Sequence, residues 1–108
     1  MTTINAYKMD GLGNDFIIID RRNDDINLGK EKIIELGSRT NIGFDQIIFI
    51  EKEKENSFPL TIFNSDGGEI SACGNGSRCV AYLLGKNLSI KEIKLKTNNR
   101  ILNAKIVG

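Results

Sequence analysis

Apolar residues along the chain fall mostly in short runs rich in isoleucine and phenylalanine, bounded by glycine, asparagine or charge. β-Branched and aromatic side chains favour a pleated, half-buried surface. The runs therefore predict strands over Ile4–Met9, Phe16–Asp20, Gln46–Lys52, Phe58–Asn64 and Glu69–Ala72. Near the end, Ile93–Thr97 and Arg100–Val107 flank Asn98-Asn99. Asparagine tolerates the positive φ of a tight hairpin turn, so these two runs pair. Lys94 and Lys96 alternate with apolar residues there, the period of a strand with one wet face. Asn64-Ser65-Asp66-Gly67-Gly68 reads as a turn between strands, and the charge run Lys52–Asn56 as a solvated loop.

Two segments break the strand pattern. Gly29–Thr40 sets Ile33, Ile34 and Leu36 to one side of charged neighbours, as an amphipathic surface helix does. In Ser77–Leu84 the residues from Cys79 to Leu84 are apolar in succession. A helix apolar all round is buried on every side, and Gly85 is suited to end it in the left-handed conformation. The expected class is α+β: a curved, mostly antiparallel sheet or barrel wrapped around this buried central helix, with the amphipathic helix on the surface.

Composition narrows the chemistry more than the fold. A length of 108 residues predicts one compact domain. With 15 basic and 14 acidic residues the net charge is +1, which favours neither nucleic acid nor a membrane surface as partner. Histidine is absent, which removes the commonest general base and metal ligand together. No metal is expected, and acid–base chemistry falls to Cys, Asp, Glu, Lys or Tyr. Cys73 and Cys79 stand in C-x5-C spacing, which matches neither a zinc knuckle nor a redox CxxC pair. Without a leader-like or membrane-spanning run, a cytoplasmic protein is the expectation.

The chemistry concentrates around Cys73-Gly74-Asn75-Gly76, which follows a strand and opens the apolar helix. A helix amino terminus carries unsatisfied N–H groups and a partial positive charge, which favour thiolate over thiol. Gly74 and Gly76 let the backbone approach a bound carboxylate and donate to it. From the residues alone, Cys73 is equally a small buried hydrophobe or a reactive thiol. Cys79, inside the apolar run, reads as core. It also cannot serve the opposite face of a substrate, being on the same segment as Cys73. Gly11-Leu12-Gly13-Asn14-Asp15-Phe16 looks like a phosphate loop but lacks the third glycine, and no GK[ST] follows. A tight turn presenting Asn14 is the simpler account. Gly43-Phe44-Asp45-Gln46 is a turn into a strand, with Gln46 able to present a neutral amide.

Taken together, Gly11–Phe16, Gly43–Gln46, Phe63-Asn64-Ser65-Asp66-Gly67 and Cys73–Gly76 followed by Arg78-Cys79 resemble the amino-terminal half of the diaminopimelate epimerase family. The likeness spans essentially the whole chain, in order and spacing. It implies a cofactor-independent isomerase that interconverts LL- and meso-diaminopimelate for lysine and peptidoglycan synthesis. It further implies that Cys73 is one of two catalytic thiols. Gly74 and Asn75 would hold the α-carboxylate through backbone N–H groups, while Asn14, Gln46 and Asn64 would hydrogen-bond the substrate's polar ends. Glu69 receives no role. Ser65 and Gly68 depart from the family pattern of alanine and serine. Residues 1–108 correspond to one domain, and the second domain with its own thiol is not among them. The resemblance therefore implies that these residues alone are inactive, and that the complete enzyme is a homodimer. A proline racemase-like enzyme would carry histidine where Asn75 stands. A thiol redox protein would need an accessible resolving cysteine, and a non-catalytic binding module remains the bland alternative.

Overall fold

The computed structural model describes residues 6–11, 14–23, 26–38, 43–70, 74–97 and 100–105. In chain order the elements are β1 (Ala6–Gly11), β2 (Asn14–Asp20), α1 (Lys30–Gly37), β3 (Gln46–Ile50) and β4 (Phe58–Asn64). They continue with β5 (Glu69–Ile70), α2 (Gly74–Leu88), β6 (Glu92–Thr97) and β7 (Arg100–Lys105). The strands make one seven-stranded sheet in the order β1-β2-β3-β4-β6-β7, with β5 beside the second half of β4.

Hairpins supply the antiparallel pairs β1–β2, β3–β4, β4–β5 and β6–β7. The pairs β2–β3 and β4–β6 are parallel, so each needs a crossover, and α1 and α2 provide them. Both crossovers step the same way across the sheet, yet β4 points opposite to β2. Right-handed crossovers must then lie on opposite faces. The packing agrees. Val80, Ala81 and Leu84 of α2 join Phe16, Ile18, Ile48, Ile50, Leu60, Ile62, Ile93 and Leu95 in one cluster. Ile33 of α1 joins Ile17, Ile19, Ile47, Phe49 and Phe44 in the other. Consecutive isoleucines of β2 and β3 thus serve two cores, which explains why those strands are apolar without alternation.

The expected architecture holds in part. The class is mixed, mostly antiparallel, with two helices, but the sheet is open rather than a closed barrel. α2 is not buried on every side: Tyr82 is 54% exposed, and Arg78 and Lys86 face solvent. A single sheet can cover only one side of a helix, however apolar the helix is. Gly85 also does not end α2, which runs on to Leu88. Ser89, at φ 57°, takes the left-handed position instead, and the Ile90 N–H returns to the Gly85 carbonyl at 3.0 Å. α1 is shorter than expected, and Ile34 is exposed where a buried stripe was predicted. β6 follows its pattern, alternating exposed and buried from Glu92 to Thr97. The charge run becomes a tight turn, with Glu55 and Asn56 at φ 53° and 65° and backbone bonds between Lys54 and Ser57.

Candidate active site

Three of the polar residues singled out above begin or end adjacent strands. Asn14 opens β2, Gln46 opens β3 and Asn64 closes β4. Register brings them to one end of the sheet: Gln46 pairs with Asn64 on one side and with Phe16 on the other. Side chains two apart share a face. Gln46 therefore falls on the face of Ile48 and Ile50, and Asn64 on that of Leu60 and Ile62, the face packed against α2. The Gln46 Nε2 donates to Asn64 Oδ1 at 3.1 Å. That bond orients both amides toward each other.

The surrounding backbone is braced by a residue that sequence reasoning left without a role. Asp45 Oδ2 accepts from the Asp15 N–H at 2.8 Å, and the Asp45 N–H donates to the Asp15 carbonyl at 2.9 Å. The Ser65 N–H donates to the Asp45 carbonyl at 3.1 Å, so one residue ties β2, β3 and the turn after β4. No local signal marks Asp45, because its partner is 30 residues away in sequence. The expected turn at 64–68 forms: the Gly67 N–H donates to the Asn64 carbonyl, and Asp66 Oδ1 accepts from the Gly68 N–H.

The start of α2 is tethered to this end. Ile70 of β5 pairs with Ile62, two residues before Asn64. Three residues separate β5 from α2, so the first residue of the helix stays within about 14 Å of Ile70. From there α2 packs across β6, β3, β2 and β1. Its first turn, through Ser77, borders a cleft with Leu95, Leu102 and Ala104. At its last turn, Asn87 Oδ1 accepts from Arg22 Nη2 at 3.2 Å, beyond the far end of β2. The positive end of the helix thus lies within reach of β5, which pairs with β4 next to Asn64.

Cys73 lies outside the described residues. Gly74 and Asn75 are the first two residues of α2, and Asn14 is placed by its backbone in β2. Cys79 is half-buried and packs against the α2-side core, as expected of a core residue. The exposed Glu69 sits in β5. Among the described residues, no helix is long and apolar enough to cross a membrane.

The comparisons with known proteins bear on this arrangement. A family model described as diaminopimelate epimerase matches residues 6–107. A diaminopimelate epimerase of Pelagibacter ubique is 54% identical over 105 residues, covering 97% of this chain and 38% of that protein. One from Coxiella burnetii is 41% identical, covering 95% of this chain and 39% of that protein. This chain thus spans about two fifths of the length of these relatives. Among solved structures, a phenazine biosynthesis protein of the PhzF family from Enterococcus faecalis superposes with a TM-score of 0.74 at 16% identity. It covers 98% of this chain and 41% of that one. A PhzF-family protein from Bacillus anthracis gives a TM-score of 0.70 at 22% identity, covering 97% and 36%. These two likenesses concern the fold alone. With its motifs in register and a family model matched along nearly its whole length, the chain belongs to the diaminopimelate epimerase family.

Proposed function

We propose that this chain forms the amino-terminal domain of an isomerase that interconverts LL- and meso-diaminopimelate without a cofactor. Inverting a stereocentre in this way requires removal of the α-proton on one face and delivery of another on the opposite face. Cys73 supplies one of the two groups, as thiolate acceptor in one direction and thiol donor in the other. A thiol suits both roles because a helix amino terminus brings its pKa toward neutrality. The backbone N–H groups of Gly74 and Asn75 cradle the α-carboxylate, where negative charge builds in the transition state. Asn14, Gln46 and Asn64 hydrogen-bond the substrate's remaining polar ends.

The reading is supported by the bonded Gln46–Asn64 pair at one end of the sheet and by the short connection that follows β5 into α2. Cys79, half-buried in the following turn, is unsuited to the second role. The other thiol comes from a second domain, and on this reading the complete enzyme is a cytoplasmic homodimer. Residues 1–108 by themselves then hold a base for one face only and do not epimerise the substrate. The test is incubation of the full-length protein with an aziridine analogue of diaminopimelate, followed by mass mapping. An adduct on Cys73 is expected, together with LL-to-meso conversion that residues 1–108 alone lack. Conversion that survives Cys73→Ala would refute the assignment.

A further inference from the structure

The three residues assigned to the substrate's polar ends sit where the sheet's own hydrogen bonding gives out. The parallel ladder between β2 and β3 begins at Phe16 and Gln46, so Asn14 and Asp15 lie before it. The antiparallel ladder between β3 and β4 stops at Gln46 and Asn64, so Ser65 lies beyond it. Strand ends are where backbone hydrogen bonds open first. A binding group built on them keeps its geometry only if something else holds the chain.

Asp45 holds it on both sides. Its carboxylate Oδ2 accepts from the Asp15 N–H at 2.8 Å, taking the place of a backbone acceptor, and its own N–H donates to the Asp15 carbonyl at 2.9 Å. Its carbonyl accepts from the Ser65 N–H at 3.1 Å. Each of these bonds ends one residue from an assigned substrate contact: Asp15 follows Asn14, Asp45 precedes Gln46, and Ser65 follows Asn64. Asp45 is itself fixed in place. Phe44 before it is buried in the α1-side core, and so is Ile47 two residues on. Ser65 is hemmed in from the other side, since a Cβ on Gly37 of α1 would stand 2.9 Å from the Ser65 Cβ.

We propose that Asp45 is a positioning residue for substrate binding: its carboxylate, by holding the Asp15 N–H, keeps Asn14, Gln46 and Asn64 in one binding geometry. Of the three bonds described, this is the one made by the side chain, and a bond to a carboxylate is roughly twice as strong as one between neutral groups. The inference rests on the assignment of those three residues to the substrate under the proposed function. On that assignment their contacts lie away from the reacting α-carbon and are the same in bound substrate and transition state. Loss of their alignment then weakens binding and leaves the chemical step alone, which raises KM at unchanged kcat.

The experiment is steady-state conversion of LL-diaminopimelate by the full-length protein and its Asp45→Ala and Asp45→Asn variants, with thermal midpoints measured beside the rates. Asp45→Ala leaves the Asp15 N–H without its side-chain acceptor. It is expected to raise KM about tenfold, with kcat within about twofold of the parent. Asp45→Asn keeps the shape and a neutral acceptor oxygen, and is expected to recover most of that loss, to a KM about threefold above the parent. A parent-like KM in Asp45→Ala overturns the inference. A fall in kcat at unchanged KM is what a smaller folded fraction produces, and it overturns the inference likewise. If Asp45→Ala does not fold, Asp45→Asn decides: its smaller rise in KM supports the inference, and a parent-like KM overturns it. An unsubstituted protein that does not convert LL-diaminopimelate overturns the proposed function itself. An active parent whose KM is unmoved in the variants removes only the role of Asp45.

Discussion

At Gly67 the backbone sits at φ 86°, and a Cβ there would stand 2.5 Å from Lys30 Cγ on α1. The turn that ends β4 thus needs glycine twice over, for its dihedral and for its contact with the helix. Gly67→Ala is expected to lower stability by about 1–2 kcal/mol from the left-handed conformation alone. A urea midpoint equal to that of the parent would contradict this. The Gln46–Asn64 bond belongs to the same scale. Removing one amide takes away the orientation of its neighbour and, on the proposed function, a substrate contact. In the full-length enzyme, Gln46→Ala is expected to lower kcat/KM about tenfold, the effect of roughly one lost hydrogen bond. Steady-state rates with LL-diaminopimelate decide it, and an unchanged kcat/KM would remove Gln46 from the site. Both residues were legible as turn or strand-end residues. Their pairing was not, because adjacency across β3 and β4 is a matter of register.

Helix α2 is held at both ends by contacts of different kinds. Its first residue is tied to β5 by a short connection, and its last turn is tied to β2 through Arg22 and Asn87. Arg22 is itself clamped to Asp20, at 2.9 Å from Nε and 2.7 Å from Nη2. The carboxy-terminal cap is a Schellman arrangement with serine in the left-handed position that glycine usually takes. Ser89→Gly is therefore expected to raise stability, by about 1 kcal/mol. Thermal unfolding is the measurement, and a lower midpoint would show that Ser89 has a role beyond the cap. Glycine at position 85 pointed to an earlier end for α2. The helix ran through it because Gly85 is buried, where packing outweighs a propensity difference of about 1 kcal/mol. Element type was read well from composition, whereas element ends depended on contacts made elsewhere.

Two ionic clusters mark the end of the sheet away from the site. Arg21 Nε donates to Glu51 Oε1 at 2.6 Å, and its guanidinium stacks 4.2 Å from the Phe49 ring centroid. Thr61 Oγ1 donates to the other Glu51 oxygen at 2.6 Å. Burial pushes the Glu51 carboxyl up, but the bonds from Arg21 and Thr61 together outweigh it and hold it below its ordinary value. The side-chain bonds from Arg22 depress Asp20 in the same direction. A carboxyl whose folded pKa lies below its unfolded value stabilises the fold above the unfolded value, about pH 4. That contribution is lost as pH falls through the folded value. Urea midpoints should therefore be level near neutrality and fall progressively below about pH 4, less steeply in Glu51→Gln than in the parent. Equal slopes in the two proteins would exclude Glu51 as a contributor.

Much of this protein was decided locally. Runs of isoleucine and phenylalanine specify strands because a β-branched or aromatic side chain suits a pleated surface wherever it lies. The alternation over Ile93–Thr97 specifies a wet face by the same local rule, and the spacing of short polar motifs is enough to place the chain in its family. What covers each surface was decided only by the tertiary structure. The apolar stretch from Cys79 to Leu84 contained no statement that one sheet would take Val80, Ala81 and Leu84 and leave Tyr82 to solvent. Nor could local sequence show Asp45 bracing Asp15, or Ser77 buried with no partner for its hydroxyl among the described residues. Burial and hydrogen bonding depend on which atoms arrive from distant parts of the chain, and a residue's own neighbours in sequence do not contain that information.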